Sequence, residues 1–358
     1  MSLESTSSEL GREVAVEGAA NTNEALQLSN DWKQWLAFNL MNGIEHEHLV
    51  KVLQKEGFSG EVAWQEINAA KDHPYLAAGH SFVQKLKKRD WVLHSLSMLQ
   101  EMSPNFGTVE TRRQLSRDEF FERYYYANRP VVITGMLDQW KALTAWTPEY
   151  LKSRFGHHTV EVQSGRNSDP EYEINSAQHK KQMRFSEYVD LVNSGVETND
   201  FYMTANNTGI NGQVLKGLWQ DVPVIEEYLR RDEANPGFFW YGPKGIVTPL
   251  HHDLTNNFMA QVQGRKLVRM IPPCRLPYMY NHRHCYSQVN LNQVDYERYP
   301  DFQHVKTIDV VLEPGQILFL PLGYWHHVSG LDISITMTYT NFLQRNDFSS
   351  FYTTYGHF

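Results

Sequence analysis

Val247-Thr-Pro-Leu-His-His-Asp253, read together with Pro314-Gly-Gln-Ile-Leu-Phe-Leu-Pro-Leu-Gly-Tyr-Trp-His-His327, decides the fold of this chain and points to its chemistry. His251 and Asp253 stand two residues apart. On a β-strand that spacing aims both side chains at one face. His326 follows a Pro-Gly turn and an apolar run, as a return strand ending at the same mouth would. Two imidazoles and one carboxylate that leave positions open form the facial site of non-haem Fe(II) oxygenases. A lone His-x-Asp pair arises often by chance, so its surroundings matter. The strand-like Asn257-Phe-Met-Ala-Gln-Val262 follows at once, and Gln263-Gly-Arg-Lys266 reads as a tight hairpin turn. That turn would place Lys266 on the neighbouring strand, facing the same cavity. A buried lysine is a natural counter-ion for the distal carboxylate of an acidic, metal-chelating co-substrate. The alternative for Lys266 is a surface lysine on a hairpin. Thr248 can add a hydroxyl donor. His252 and His327 alternate to the opposite face and read as structural.

Working outward, strand patterns dominate from residue 200 on. Candidates span 201–204, 237–241, 258–262, 266–271, 305–312, 317–320 and 333–339, punctuated by Gly264 and Pro272-Pro273. Many short strands separated by turns predict a mainly β fold with α, its core a double-stranded β-helix (a jelly roll, or cupin). Upstream, Ser116-Arg-Asp-Glu119 is a capping box that starts a helix reaching 127. A strand over 130–135, a helix opened by Thr147 and Pro148, a strand over 159–163 and a helix over 185–192 follow; Ser186 or the residues before it would cap the last. The segment 28–103 reads as a small N-terminal helical bundle. Its helices span 31–41 (capped by Ser29 or Asn30), 47–55, 60–71 (capped by Ser59) and 75–101, the last opened by Pro74. The basic run Lys85-Leu-Lys-Lys-Arg-Asp-Trp91 reads as a solvated helix face, with a partner contact as the alternative. Residues 1–27 are polar and read as a disordered leader. The expected division is therefore leader 1–27, helical bundle 28–103 and oxygenase-type cupin domain 104–358.

Composition narrows the function classes. The 358 residues carry 33 Lys and Arg against 41 Asp and Glu, a net charge of −8, which argues against a nucleic-acid surface. No apolar run is long enough to span a membrane, and the start of the chain lacks the features of a secretory signal. The only two cysteines, Cys274 and Cys285, suggest no disulfide framework, and a cytoplasmic setting is expected. His282, His284 and Cys285 lack a fourth ligand at suitable spacing and read as a polar loop. The aromatic tail from 348 to 358 would pack on the barrel or on a second subunit, so a homodimer is a possible assembly.

From about Leu115 to Asn341 the chain resembles the cupin-like (JmjC-type) family of Fe(II)/2-oxoglutarate oxygenases, and within it the asparaginyl hydroxylase type that modifies hypoxia-inducible factor. Tyr126-Ala-Asn-Arg-Pro-Val-Val-Ile-Thr-Gly135, Trp146-Thr-Pro-Glu-Tyr-Leu151, Thr248-Pro-Leu-His-x-Asp253, Ser287-Gln-Val289, Asp295-Tyr-Glu-Arg-Tyr-Pro300 and Tyr324-Trp-His-His-Val328 carry the likeness. The resemblance implies Fe(II) held by His251, Asp253 and His326. It implies 2-oxoglutarate as co-substrate, with its distal carboxylate on Lys266 and Thr248 and with Asn257, Tyr202 and Thr338 lining its site, and O₂ as oxidant. Where the hydroxylases hold the substrate amide with an Arg-Gln pair, this chain has Cys285 and Tyr286, so a different target is expected. Related halogenases lack the carboxylate, so Asp253 favours hydroxylation. The expected substrate is a protein, a peptide or an amino-acid-like molecule. N-methyl demethylation by the same chemistry and a non-catalytic metal-binding cupin are the alternatives.

Overall fold

The computed structural model describes residues 27–234 and 236–351. Apart from Gln27, the expected leader lies outside the described residues, as does the aromatic tail beyond 351. The chain divides into two compact units between Met98 and Leu99. No described helix is long and apolar enough to cross a membrane.

In the first unit, α1 (Asn30–Asn42), α2 (His46–Lys55) and α3 (Gly60–Lys71) are followed by α4 (Pro74–Glu101). The Ser29 hydroxyl caps α1 by accepting from Trp32 N, and Ser59 caps α3 by accepting from Val62 N. Gly43, at φ +82°, ends α1 in the left-handed conformation that favours glycine. Trp35, Leu36, Leu49, Leu53, Ala63 and Ile67 form the core, against which Leu76 of α4 packs. The expected four-helix bundle is thus a three-helix core onto which α4 fastens by its first turns. Further along α4 only Ser97 is buried, while Phe82 and Trp91 are exposed.

The second unit is built from strands. In chain order they are β1 (Glu110–Arg113), β2 (Val131–Thr134), β3 (Thr159–Ser164), β4 (Lys180–Arg184) and β5 (Phe201–Tyr202). Then come β6 (Phe238–Gly242), β7 (Val247–His252), β8 (Asn257–Gln263), β9 (Lys266–Ile271), β10 (Asn281–Arg283) and β11 (Tyr286–Ser287). The last four are β12 (Ile308–Leu312), β13 (Gln316–Leu320), β14 (Trp325–Gly330) and β15 (Ser334–Tyr339). One sheet runs β1-β2-β13-β8-β15-β6, the facing sheet β10-β11-β7-β14-β9-β12, and a small sheet β4-β3-β5. Consecutive strands β6 to β9 and β12 to β15 switch between the two large sheets, with antiparallel neighbours throughout. This is the expected jelly roll.

Strand alternation sorts the side chains into two cores. On β8, Phe258, Ala260 and Val262 point outward and pack with Phe120, Tyr124, Trp146 and Tyr188 from the covering helices. Met259 points inward and meets Val268, Met270, Val310 and Val328 of the facing sheet.

Two local expectations need correction. Gln263 to Lys266 is not a hairpin: it carries the chain from β8 in one sheet to β9 in the other. Gly264 makes this crossover possible, at φ +62° and so close to Ile333 that an added Cβ would lie 2.0 Å from its carbonyl oxygen. The helix expected to reach 127 is α-helical only over Arg117–Phe120 and continues as a π-turn over Phe121–Tyr125, whose crowded rings pack from several sides. Of the two caps expected for the helix Phe185–Val192, the residue before it serves: Arg184 is the N-cap, and the Glu187 carboxylate accepts from Arg184 N.

Candidate metal centre

The two histidines meet because antiparallel pairing of β14 with β7 sets His326 opposite His251. Their ring centroids lie 4.1 Å apart. Asp253 stands just past the end of β7. One carboxylate oxygen lies 3.8 Å from His251 Nε2 and the other 4.0 Å from His326 Nε2. One potential ligand atom from each of the three residues lies within 4.8 Å of the others.

The backbone selects which imidazole nitrogen faces this point. Pro249 O accepts from His251 Nδ1 at 2.8 Å, and Tyr324 O accepts from His326 Nδ1 at 3.0 Å. Each Nδ1 therefore carries the hydrogen, and both Nε2 lone pairs are free to ligate. Burial drives the His326 pKa down to about 3, which keeps that ring neutral. Burial pushes the Asp253 carboxyl up, but the His326 and His251 rings and the Asn257 amide outweigh it and leave it below its ordinary value. The site thus offers two imidazole Nε2 atoms and a carboxylate, a donor set suited to a divalent iron with open positions.

These residues line a cavity of about 1170 Å³ between the sheets, together with Tyr202, Thr248, Asn257, Lys266, Cys285, Tyr286 and Thr338. The structure brings together every residue that the sequence assigned to the metal, co-substrate and substrate positions. Lys266 opens β9 and is 2% exposed. Its ammonium donates to the Tyr202 hydroxyl across 2.9 Å, and among the described residues no carboxylate pairs with it. Burial lowers its pKa to about 7. Trp240 Nε1 donates to Thr338 Oγ1 across 2.9 Å. Because both hydroxyl oxygens already accept, the Tyr202 and Thr338 hydrogens are free to be donated elsewhere. Lys266, Tyr202 and Thr338 therefore present donors without an anion to receive them, and Thr248 on β7 lines the same space. A carboxylate is the complementary ligand.

Next to the metal point, β11 pairs with β7 through Tyr286 and His251, whose rings stack at 5.7 Å. Cys285, buried and with its thiol pushed up to about 12, lines the cavity beside it. His327 is buried and stands outside the cavity wall, as expected; His252, expected to face away, meets the Trp325 ring edge-on at 4.7 Å and also borders the cavity.

Trp240 and Glu173 are among the lining residues that were not singled out from the sequence. Trp240 could have been found, since it alternates inward on a strand already recognised. Glu173 carries no such signal; it is set in place by the fully buried Arg166, whose guanidinium donates to it across 2.9 Å.

The model of the cupin-like domain matches residues 117–347, well over half of the chain. Lysine-specific demethylase 8 of Xenopus tropicalis is 29% identical over 239 residues, covering 63% of this chain and 50% of that protein. Lysine-specific demethylase JMJ30 of Arabidopsis thaliana is 30% identical over 242 residues, covering 64% and 54%. The tRNA wybutosine-synthesizing protein 5 of Gallus gallus is 24% identical over 236 residues, covering 62% and 73%. The chain spans about half the length of the two demethylases. With fold, site and relatives in agreement, this chain belongs to the cupin-like, JmjC-type family of Fe(II)/2-oxoglutarate oxygenases.

Proposed function

We propose that this protein is an Fe(II)/2-oxoglutarate-dependent hydroxylase acting on an unactivated C–H bond of a protein, peptide or amino-acid-like substrate. The observation that carries the reading is the pairing of a His-Asp-His site with a buried ammonium lacking an anionic partner in the same cavity. Fe(II), 2-oxoglutarate and O₂, when bound, supply the C–H oxidation, with succinate and CO₂ formed from the co-substrate. His251, Asp253 and His326 hold the metal. Lys266, Tyr202, Thr248 and Thr338 receive the distal carboxylate, and Asn257 completes that wall. Tyr286 and Cys285 face the target group. Both cysteines are free thiols, which fits a cytoplasmic setting.

The names of two of the relatives favour a second reading, demethylation of an N-methyl group by the same oxidation, which ends in loss of formaldehyde. Two measurements test these readings. Succinate release from 2-oxoglutarate is measured under air with Fe(II) and ascorbate, for the intact protein, His251→Ala and Lys266→Ala. Turnover in the intact protein that is lost in both variants supports the oxygenase. No turnover, together with no 2-oxoglutarate binding by the metal-loaded protein, leaves a non-catalytic cupin. On a peptide screen, a product 16 Da heavier marks hydroxylation and formaldehyde marks demethylation.

A further inference from the structure

We propose that Asn257 is a positioning residue for Asp253, holding one carboxylate oxygen so that the other is presented to the metal. The inference rests on the metal-site reading above. Asn257 Nδ2 donates to Asp253 Oδ2 across 3.2 Å. A carboxylate accepts only, so this bond fixes the amide orientation, with Nδ2 toward Asp253 and Oδ1 away. Oδ1 is then buried with no hydrogen-bond partner. Neither 2-oxoglutarate nor O₂ brings a strong donor to satisfy it, so service in the co-substrate cradle alone does not account for this amide.

The two segments involved differ in how the sheet holds them. Asn257 opens β8 and is paired in register with Leu320 of β13, a fixed point of the sheet. Asp253 lies in the connection after β7, outside the ladder. Without the amide, its two oxygens are near equivalents, each facing one imidazole at 3.8 or 4.0 Å. The hydrogen bond breaks that equivalence: Oδ2 is engaged, and Oδ1 is left as the single ligating oxygen. Loss of such an outer hydrogen bond costs about 10- to 100-fold in metal affinity.

The test is Mn(II) affinity of the full chain without co-substrate, read from the EPR signal of free Mn(II), for wild type, Asn257→Ala, Asn257→Ser and Thr338→Ala. Both Asn257 variants are expected to bind about 10- to 100-fold more weakly. Thr338→Ala should keep wild-type Mn(II) affinity and lose only affinity for 2-oxoglutarate. The Co(II) absorption of loaded Asn257→Ala should also shift, because Asp253 then has both oxygens free. A folded Asn257 variant with wild-type Mn(II) affinity and an unchanged Co(II) spectrum overturns the proposal. Wild type that fails to bind Mn(II) removes the metal reading and this inference with it.

Discussion

The Lys266 ammonium and the Tyr202 hydroxyl stand 2.9 Å apart, 64 residues apart in sequence, inside a cavity where the lysine meets no carboxylate among the described residues. The tyrosine oxygen accepts, so its hydrogen is released toward the cavity. Tyr202 stays protonated, since burial raises its pKa further. The Trp240 and Thr338 pair does the same from the facing sheet. A cluster of donors of this kind costs stability in the empty protein and is repaid when an anion binds.

Replacing Lys266 should therefore move binding and stability in opposite directions. Lys266→Met removes a charge-assisted hydrogen bond worth about 1.5–3 kcal/mol, so 2-oxoglutarate affinity should fall by about 10- to 150-fold. The same variant removes an unpaired buried charge, so the ligand-free protein should melt at a higher temperature than wild type near neutral pH. Tyr202→Phe leaves the charge and should weaken 2-oxoglutarate by about 2- to 10-fold. Isothermal titration calorimetry and thermal melts check both. Unchanged affinity in Lys266→Met would remove the lysine from the co-substrate site.

The same lysine sets a pH dependence with a definite sign. Its ordinary value is 10.5, and burial lowers it to about 7 in the folded, ligand-free protein. Between those values the unfolded chain binds more protons than the folded one, so this group makes stability rise with pH from about 7 to 10.5. Bound 2-oxoglutarate favours the ammonium and raises its pKa again. Binding above pH 7 should thus take up a proton, and affinity should weaken as pH rises, by up to tenfold per unit. Titrations in buffers of different ionisation enthalpy measure that proton uptake, and Lys266→Met should abolish it.

The crossover that delivers Lys266 gives a prediction about folding. At Gly264 the backbone is left-handed, and an added Cβ would lie 2.0 Å from the Ile333 carbonyl oxygen. Gly264→Ala should destabilise the protein by about 1–3 kcal/mol from the backbone conformation alone, with the clash adding to it. Urea unfolding measures this. A variant as stable as wild type would mean that the crossover can rebuild elsewhere.

This crossover also marks what the sequence conceals. His251 and Asp253 were legible from their spacing of two, although Asp253 stands just past the strand that the spacing assumed, and His326 because an apolar strand and a Pro-Gly turn precede it. The cavity-facing role of Lys266 was legible, but its route was not. Gln263-Gly-Arg-Lys266 has the local chemistry of a hairpin, and only the packing of Gly264 against Ile333, 69 positions on, shows a change of sheet. The helices between residues 205 and 221 were hidden in the same way. Gly209 and Gly212 look like loop residues, yet the Asn211 side chain pins its helix to β3 by accepting from Glu161 N and donating to Glu161 O, each at 2.8 Å. Such anchors join distant positions and leave no periodic trace.

Tyr286 tests which end of the cavity takes the substrate. Its ring stacks on His251 from β11, and Cys285 precedes it in the wall. If the target group enters here, Tyr286→Ala should raise KM for the substrate peptide about 10-fold or more, the scale of losing a large aromatic contact. It should leave 2-oxoglutarate affinity within about twofold of wild type, because the Lys266, Tyr202 and Thr338 donors are untouched. Cys285→Ser keeps the side-chain size and should change substrate KM less than Tyr286→Ala does. Paired measurements of substrate KM and co-substrate Kd decide the matter. If Tyr286→Ala weakens 2-oxoglutarate and spares the peptide, the two ends of the cavity must be exchanged.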